Sequence, residues 1–246
     1  MLTGSADPRA LAARAAALER FDTEPLKLPS VETLQVCFEY ASAGMEALLP
    51  PALHPTLPPV VGWQVQRFAS SPWGGFAMAL CRIECRSGLR PRGFLLGGAI
   101  DNAEAGAQLA SRWGYSLRLG AILLSRGYDR IRASVSFEGA PALDLELRDP
   151  TPLRGEDVFY AASMHLAHTP RGLRLVQVDP AFATLRAERG RPVLERFDAA
   201  GWNAAGVRPS HPVSASFTLA DVTLPALRYV CRPDVLAFEG SERIDG

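Results

Sequence analysis

The sequence predicts an α+β domain built on one large, mainly antiparallel sheet that curls or closes on itself. Segments of alternating apolar and polar residues far outnumber segments of helical period. No internal repeat, low-complexity tract or interdomain linker interrupts the 246 residues, a length that one barrel or sandwich can fill. A single domain over 1–246 is therefore expected.

The elements follow in order. Asp7 is a fair N-cap and Pro8 fits the first helical position, with Leu11, Ala15 and Leu18 on one face of a first helix. The connection Thr23 to Pro29 follows, so that residues 1–29 form a helix and an arm. Thr33 to Tyr40 alternates, with Leu34, Val36, Phe38 and Tyr40 on one side. Gly44 to Leu49 reads as a short helical turn stopped by Pro50 and Pro51. Val60–Phe68, Phe76–Cys85 and Gly93–Ile100 read as strands separated by Gly/Pro/Ser breakers. Asp101, with Glu104 three residues on, predicts a capping box for a helix ending at Trp113 and Gly114. Further strands are expected at Ile131–Phe137, Ala142–Leu147, Val158–His168, Leu173–Val178, Val213–Leu219 and Tyr229–Ala237. Residues 240–246 read as a solvated tail.

Composition excludes several function classes. Basic and acidic side chains balance at 26 each, which leaves no electrostatic footprint for nucleic acid or an anionic membrane. No 18-residue apolar run and no secretory pattern occurs, so a cytoplasmic protein is expected. Cys37, Cys81, Cys85 and Cys231 match no zinc or redox spacing and read as buried free thiols. Of the 26 basic residues only Lys27 is lysine. Arginine keeps its proton in any site, so amine chemistry is confined to Lys27 and the N-terminal amine.

Isolated candidates carry little. His165 and His168 lie an odd number apart in an alternating segment and point to opposite faces, which argues against metal ligation. Ser116 has no evident base beside it and reads as a turn residue. Asp101 and Asn102 read as a helix cap, and Lys27 as solvated.

Three stretches resemble the acetoacetate decarboxylase family. Ile100-Asp101-Asn102 is followed by Trp113-Gly114-Tyr115-Ser116-Leu117-Arg118, where the family has Leu-Asp-Asn, a helix and an aromatic-Pro-Lys-Lys turn. Thr218-Leu219-Ala220-Asp221 with Leu224-Pro225 is similar to its C-terminal motif, and the early strand ending at Leu49-Pro50-Pro51 is similar to its N-terminal region. The resemblance implies a cone-shaped, closed, largely antiparallel β-barrel with flanking helices, an interior active site and a homo-oligomer. The family's known mechanism is a Schiff base on the first lysine of the turn, kept neutral by burial and by the second lysine.

Carried across residue by residue, that site is dismantled. The Schiff-base lysine falls on Leu117, the second lysine on Arg118, and the turn proline on Ser116. The two pocket glutamates fall on Trp63 and Met78, and the pocket arginine on Val31. Tyr115 joins these as a ligand-binding candidate. The resemblance thus implies a cavity walled by Val31, Trp63, Met78, Tyr115 and Leu117, with Arg118 as catalytic candidate. An arginine fork suits a carboxylate, so the expected partner is a small apolar carboxylic or keto acid, with no cofactor and no metal. Two alternatives stay open at this point. The large side chains could fill the cavity and leave a non-catalytic protein, or Lys27 could serve a true decarboxylase. If the chain is an enzyme, a lyase, isomerase or cyclase activity independent of a Schiff-base lysine is expected.

Overall fold

The computed structural model describes residues 2–21, 23–41 and 43–244. A single hydrogen-bonded sheet of sixteen strands dominates them. Its long members are β1 (Leu26–Tyr40), β2 (Val60–Phe68), β3 (Phe76–Ser87), β4 (Arg90–Ile100), β5 (Ala121–Arg126), β6 (Arg130–Phe137) and β7 (Ala140–Leu153). They continue with β8 (Ala162–Thr169), β9 (Gly172–Val178), β10 (Ala181–Phe197), β11 (Pro209–Leu224), β12 (Tyr229–Cys231) and β13 (Ser241–Arg243). The order is β13-β12-β9-β8-β4-β3-β2-β1-β11-β10-β7-β6-β5. The path is open at β13 and β5, so hydrogen bonds do not close the expected barrel. Neighbours along it are antiparallel except β8, which runs parallel to β4.

The sheet nevertheless curls. Leu124, Ala133 and Leu145 of β5–β7 share one core cluster with Leu34, Trp63 and Cys81 of β1–β3. Alternation puts Leu34, Val36 and Phe38, Val61, Trp63 and Val65, and Ala79, Cys81 and Ile83 on that face, all of them buried. The opposite face carries Val31, Met78 and Leu80, which pack with Leu109 and Trp113 of helix α2 (Ala103–Trp113) and with Val222 of β11. Each fully buried aliphatic side chain stabilises the fold by about 1.5–3 kcal/mol.

The resembling motifs act as fasteners. Asn102, not Asp101, caps α2, with its side chain accepting from the Ala105 N–H at 3.0 Å. Asp101 instead accepts from the Ala77 N–H at 2.7 Å and ties the start of β3 to the end of β4. Gly114, with φ 72°, ends the helix. Trp113 Nε1 donates to the Pro225 carbonyl at 2.8 Å. Asp221 accepts from the Ser30 N–H at 2.8 Å, where Ser30 holds a φ of 51°.

Several elements depart from expectation. The first helix, α1, covers only Pro8–Ala12, because Ala16 and Ala17 pair with Ala167 and His168 of β8. Residues 158–161 lie outside β8, which begins at Ala162. The strand from Tyr229 stops at Cys231, two residues before Pro233, which has no N–H to give a ladder. Residues Ser241–Arg243 are a strand on β12 and Ile244 is buried, so that part of the expected tail is ordered structure; residues 245–246 lie outside the described residues. All four cysteines are free and buried. No helix among the described residues is long and apolar enough to cross a membrane.

Candidate functional site

The face bearing Met78 buries a group of polar side chains. Thr33 and Gln35 of β1, Gln64 and Gln66 of β2, and Arg82 and Glu84 of β3 alternate onto it, while their neighbours fill the apolar core behind. Gln66 donates to Thr33 at 3.2 Å. Arg82 lies at the centre and is only 2% exposed. Its guanidinium lies against Gly93, where a Cβ would stand 3.2 Å from Arg82 Nε. A side chain on residue 93 would therefore push the guanidinium aside.

The partners of Arg82 are neutral. Nη1 donates to the Ala161 carbonyl at 3.3 Å and to Ser163 Oγ at 3.1 Å, and Nη2 donates to Gln35 Oε1 at 3.5 Å. Nε has no partner. No carboxylate among the described residues forms an ion pair with it. Glu84, two residues along the same strand face, is half-buried, and burial pushes its carboxyl above the usual range against the opposing pull of Arg82. Buried charge is normally paired, whereas Arg82 here has only neutral hydrogen-bond partners.

Two spaces lie on either side of the strap of residues 154–161, and Arg82 borders only the inner one. The inner cavity is about 20 Å³, room for about one water, and its walls include Phe76, Met78, Arg82, Tyr115, Tyr160 and Phe182. The outer chamber is about 530 Å³, a ligand-sized space bounded by Gln35, Glu84, Val158, Phe159, Val213 and Ser214 among others. Ala161 borders both. The strap is held down by a 2.6 Å hydrogen bond between Tyr160 Oη and Thr218 Oγ1, by stacking of Tyr160 on Phe182, and by Gln35 Nε2 donating to the Phe159 carbonyl.

The residues singled out from the sequence separate into two groups. Met78 and Tyr115 line the inner cavity. Val31 is buried in the same cluster, and Leu117 packs against it from over Gly98. Trp63 points the other way, into the filled core, with its ring 4.9 Å from that of Phe197; Gln64, Gln66 and Phe68 are the β2 residues that line the cavity. Arg118 is exposed, lies 3.5 Å over the Phe137 ring and donates to the Gly201 carbonyl. Lys27 is exposed on β1, and the N-terminal amine lies outside the described residues.

The histidines take opposite faces. His168 is exposed, whereas His165 is fully buried and its Nδ1 lies 3.0 Å from the Trp113 carbonyl. Burial pushes His165 down to about 4. Its ring packs 4.0 Å from that of Tyr115, whose hydroxyl burial pushes well above its ordinary range. No group of three metal-ligating side chains occurs among the described residues.

The fold is similar to that of an acetoacetate decarboxylase from Legionella pneumophila, with TM-score 0.74 and 19% identity over 83% of this chain and 86% of that one. It is also similar to the enduracididine biosynthesis enzyme MppR complexed with pyruvate, with TM-score 0.69 and 17% identity over 84% and 90% of the two chains. A third similar structure, with TM-score 0.66 and 17% identity over 84% and 92%, is an acetoacetate decarboxylase-like enzyme from Sphingomonas wittichii. No curated protein sequence matches. The model of the acetoacetate decarboxylase family matches residues 12–233, and the chain therefore belongs to that family.

Proposed function

We propose that the protein binds a small hydrophobic carboxylic or keto acid at Arg82, and that any transformation proceeds without a Schiff base. The observation that carries this reading is a buried guanidinium whose hydrogen bonds all go to neutral acceptors. A carboxylate in the outer chamber would displace the carbonyl of Ala161, which borders both spaces, to reach Arg82 behind it, form a charge-assisted pair and lay its apolar part along Val158, Phe159 and Val213. Leu117 cannot form an imine, and the sole lysine is exposed away from the cavity walls. That similar structures include a pyruvate complex supports the ligand class.

The small inner cavity favours a second reading, a non-catalytic protein with a filled site. Calorimetric titration with 4-methylpentanoate and 4-methyl-2-oxopentanoate separates the two. Binding by the wild type, weakened about 30-fold or more in Arg82→Met, is the expected result. Equal affinity in wild type and variant would sink the assignment of Arg82, and no heat with either acid would leave the filled-site reading.

A further inference from the structure

We infer that Glu84, on the wall of the outer chamber, is a second anchor beside Arg82, and that the preferred ligand is a zwitterion: an amino acid with an apolar side chain, its ammonium on Glu84 and its carboxylate reaching Arg82 in place of the Ala161 carbonyl. The inference rests on the proposed binding of an acid at Arg82 and adds the chemical class of that acid.

The geometry carries it. Arg82 and Glu84 are alternate residues of β3, so their side chains leave the same face about 7 Å apart at the backbone. They do not pair with each other, and among the described residues the Glu84 carboxyl has neither a hydrogen-bond donor nor an ion-pair partner. Gly62 sits opposite Arg82 on β2, and a Cβ there would stand 3.4 Å from Glu84 Oε1 and 3.3 Å from Cys37 Sγ. With no side chain at residue 62, the Glu84 carboxyl and the Cys37 thiol pack directly against the β2 backbone. An α-amino acid presents its two charged groups a few ångströms apart, which suits a gap that neither charge bridges alone.

The surroundings agree in sign. Arg82 is buried and Glu84 half-buried; each lies within the other's field, yet neither has an ion pair to satisfy it. A plain acid relieves only Arg82, whereas a zwitterion relieves both. The Cys37 thiol, pushed up to about 11 by burial and then by Glu84 itself, stays neutral beside the carboxylate. From β11 only Ser214, Ala215 and Ser216 approach, beside the apolar Val213. Asp157 of the strap and Arg189 of β10 border the chamber from exposed positions and offset each other. The apolar walls formed by Val60, Val158, Phe159 and Val213 receive the side chain of the ligand.

The test is a matched series titrated into the full chain: leucine, 4-methyl-2-oxopentanoate, 4-methylpentanoate and 3-methylbutylamine. The wild type should bind leucine at least about tenfold more tightly than any of the other three. Glu84→Gln should weaken leucine about tenfold or more while 4-methylpentanoate stays within about twofold. A wild type that binds 4-methylpentanoate or the oxo acid as tightly as leucine overturns the inference, yet leaves the acid site at Arg82 standing. A Glu84→Gln protein that loses every ligand equally also overturns it, because the residue would then support the chamber and not read the ammonium. If none of the four binds, both the inference and the acid site fall. The wild-type ranking decides the matter even if the variant does not fold.

Discussion

The two faces of β1–β3 are made by the same strands and do opposite things. Behind them Leu34, Val36, Trp63 and Cys81 form a filled core against the curled end of the sheet. In front, Gln64, Gln66, Arg82 and Glu84 alternate with those residues and leave polar groups around two spaces. Trp63 and Gln64 are adjacent, and that single step carries the chain from the filled core to the cavity-lining face. A strand whose faces are both buried can serve both ends, provided each polar group on the working face finds a partner or awaits a ligand. Unpartnered groups occur on both faces, Tyr40 Oη and Trp63 Nε1 behind and Arg82 Nε in front, but only the front one belongs to a charged side chain.

Truncating the filled face should have the largest effect. Trp63→Ala removes a fully buried ring that packs against Phe38 and Phe197, and the expected cost is about 3–5 kcal/mol in chemical denaturation. Ligand affinity in the folded fraction should be unchanged, because the ring lies behind the sheet. A loss of affinity without a loss of stability would break the division between the two faces.

Acidification tests the junction where helix α2 meets β8. His165 is neutral in the fold, held down to about 4 by burial, against an unfolded value near 6.5. The unfolded chain therefore binds the extra proton between these two values. The stability contributed by neutral His165 is complete above the unfolded value and is lost as pH falls from about 6.5 toward 4, by roughly 3 kcal/mol. His165→Gln should flatten that segment of the stability–pH curve, measured by urea unfolding at fixed pH values. A curve that keeps its slope in the variant would assign the effect to other groups.

Much of the fold was legible because alternation is a strong signal where one face is wholly apolar. Val60–Phe68 was readable to the residue, and Phe76, Gly93 and Ile131 mark the cores of strands that extend by a few residues. β10 was not readable: over 17 residues it interleaves Arg186, Glu188, Arg189 and Arg191 with small apolar residues, since much of it is exposed. Family resemblance located Met78 and Tyr115 in the working face, yet an ungapped register placed Trp63 beside them. A one-residue slip on a strand reverses the face, and Gln64 is the neighbour that the cavity sees. Arg82 and Glu84 carried a readable signal, because they share the parity of Met78 along Phe76–Cys85. That parity argument needs no relative, whereas the strap carbonyl on Arg82 depends on tertiary structure and left no trace in the sequence.

Arg118 gives the smallest and most discriminating effect. Its position beside Leu117 made it the candidate charge for the ligand, but its guanidinium lies over Phe137 and donates to the Gly201 carbonyl at the surface. An exposed cation–π contact is worth about 0.5–1 kcal/mol, and a solvent-facing hydrogen bond adds little. Arg118→Ala should therefore lower stability by less than about 1 kcal/mol and leave acid affinity within about twofold of wild type, whereas Arg82→Met weakens it strongly. The pair of variants compares a charge on the outside of the sheet with one inside it. Should Arg118→Ala abolish binding while Arg82→Met does not, the anion site belongs to the turn after α2 and the outer chamber is a structural void.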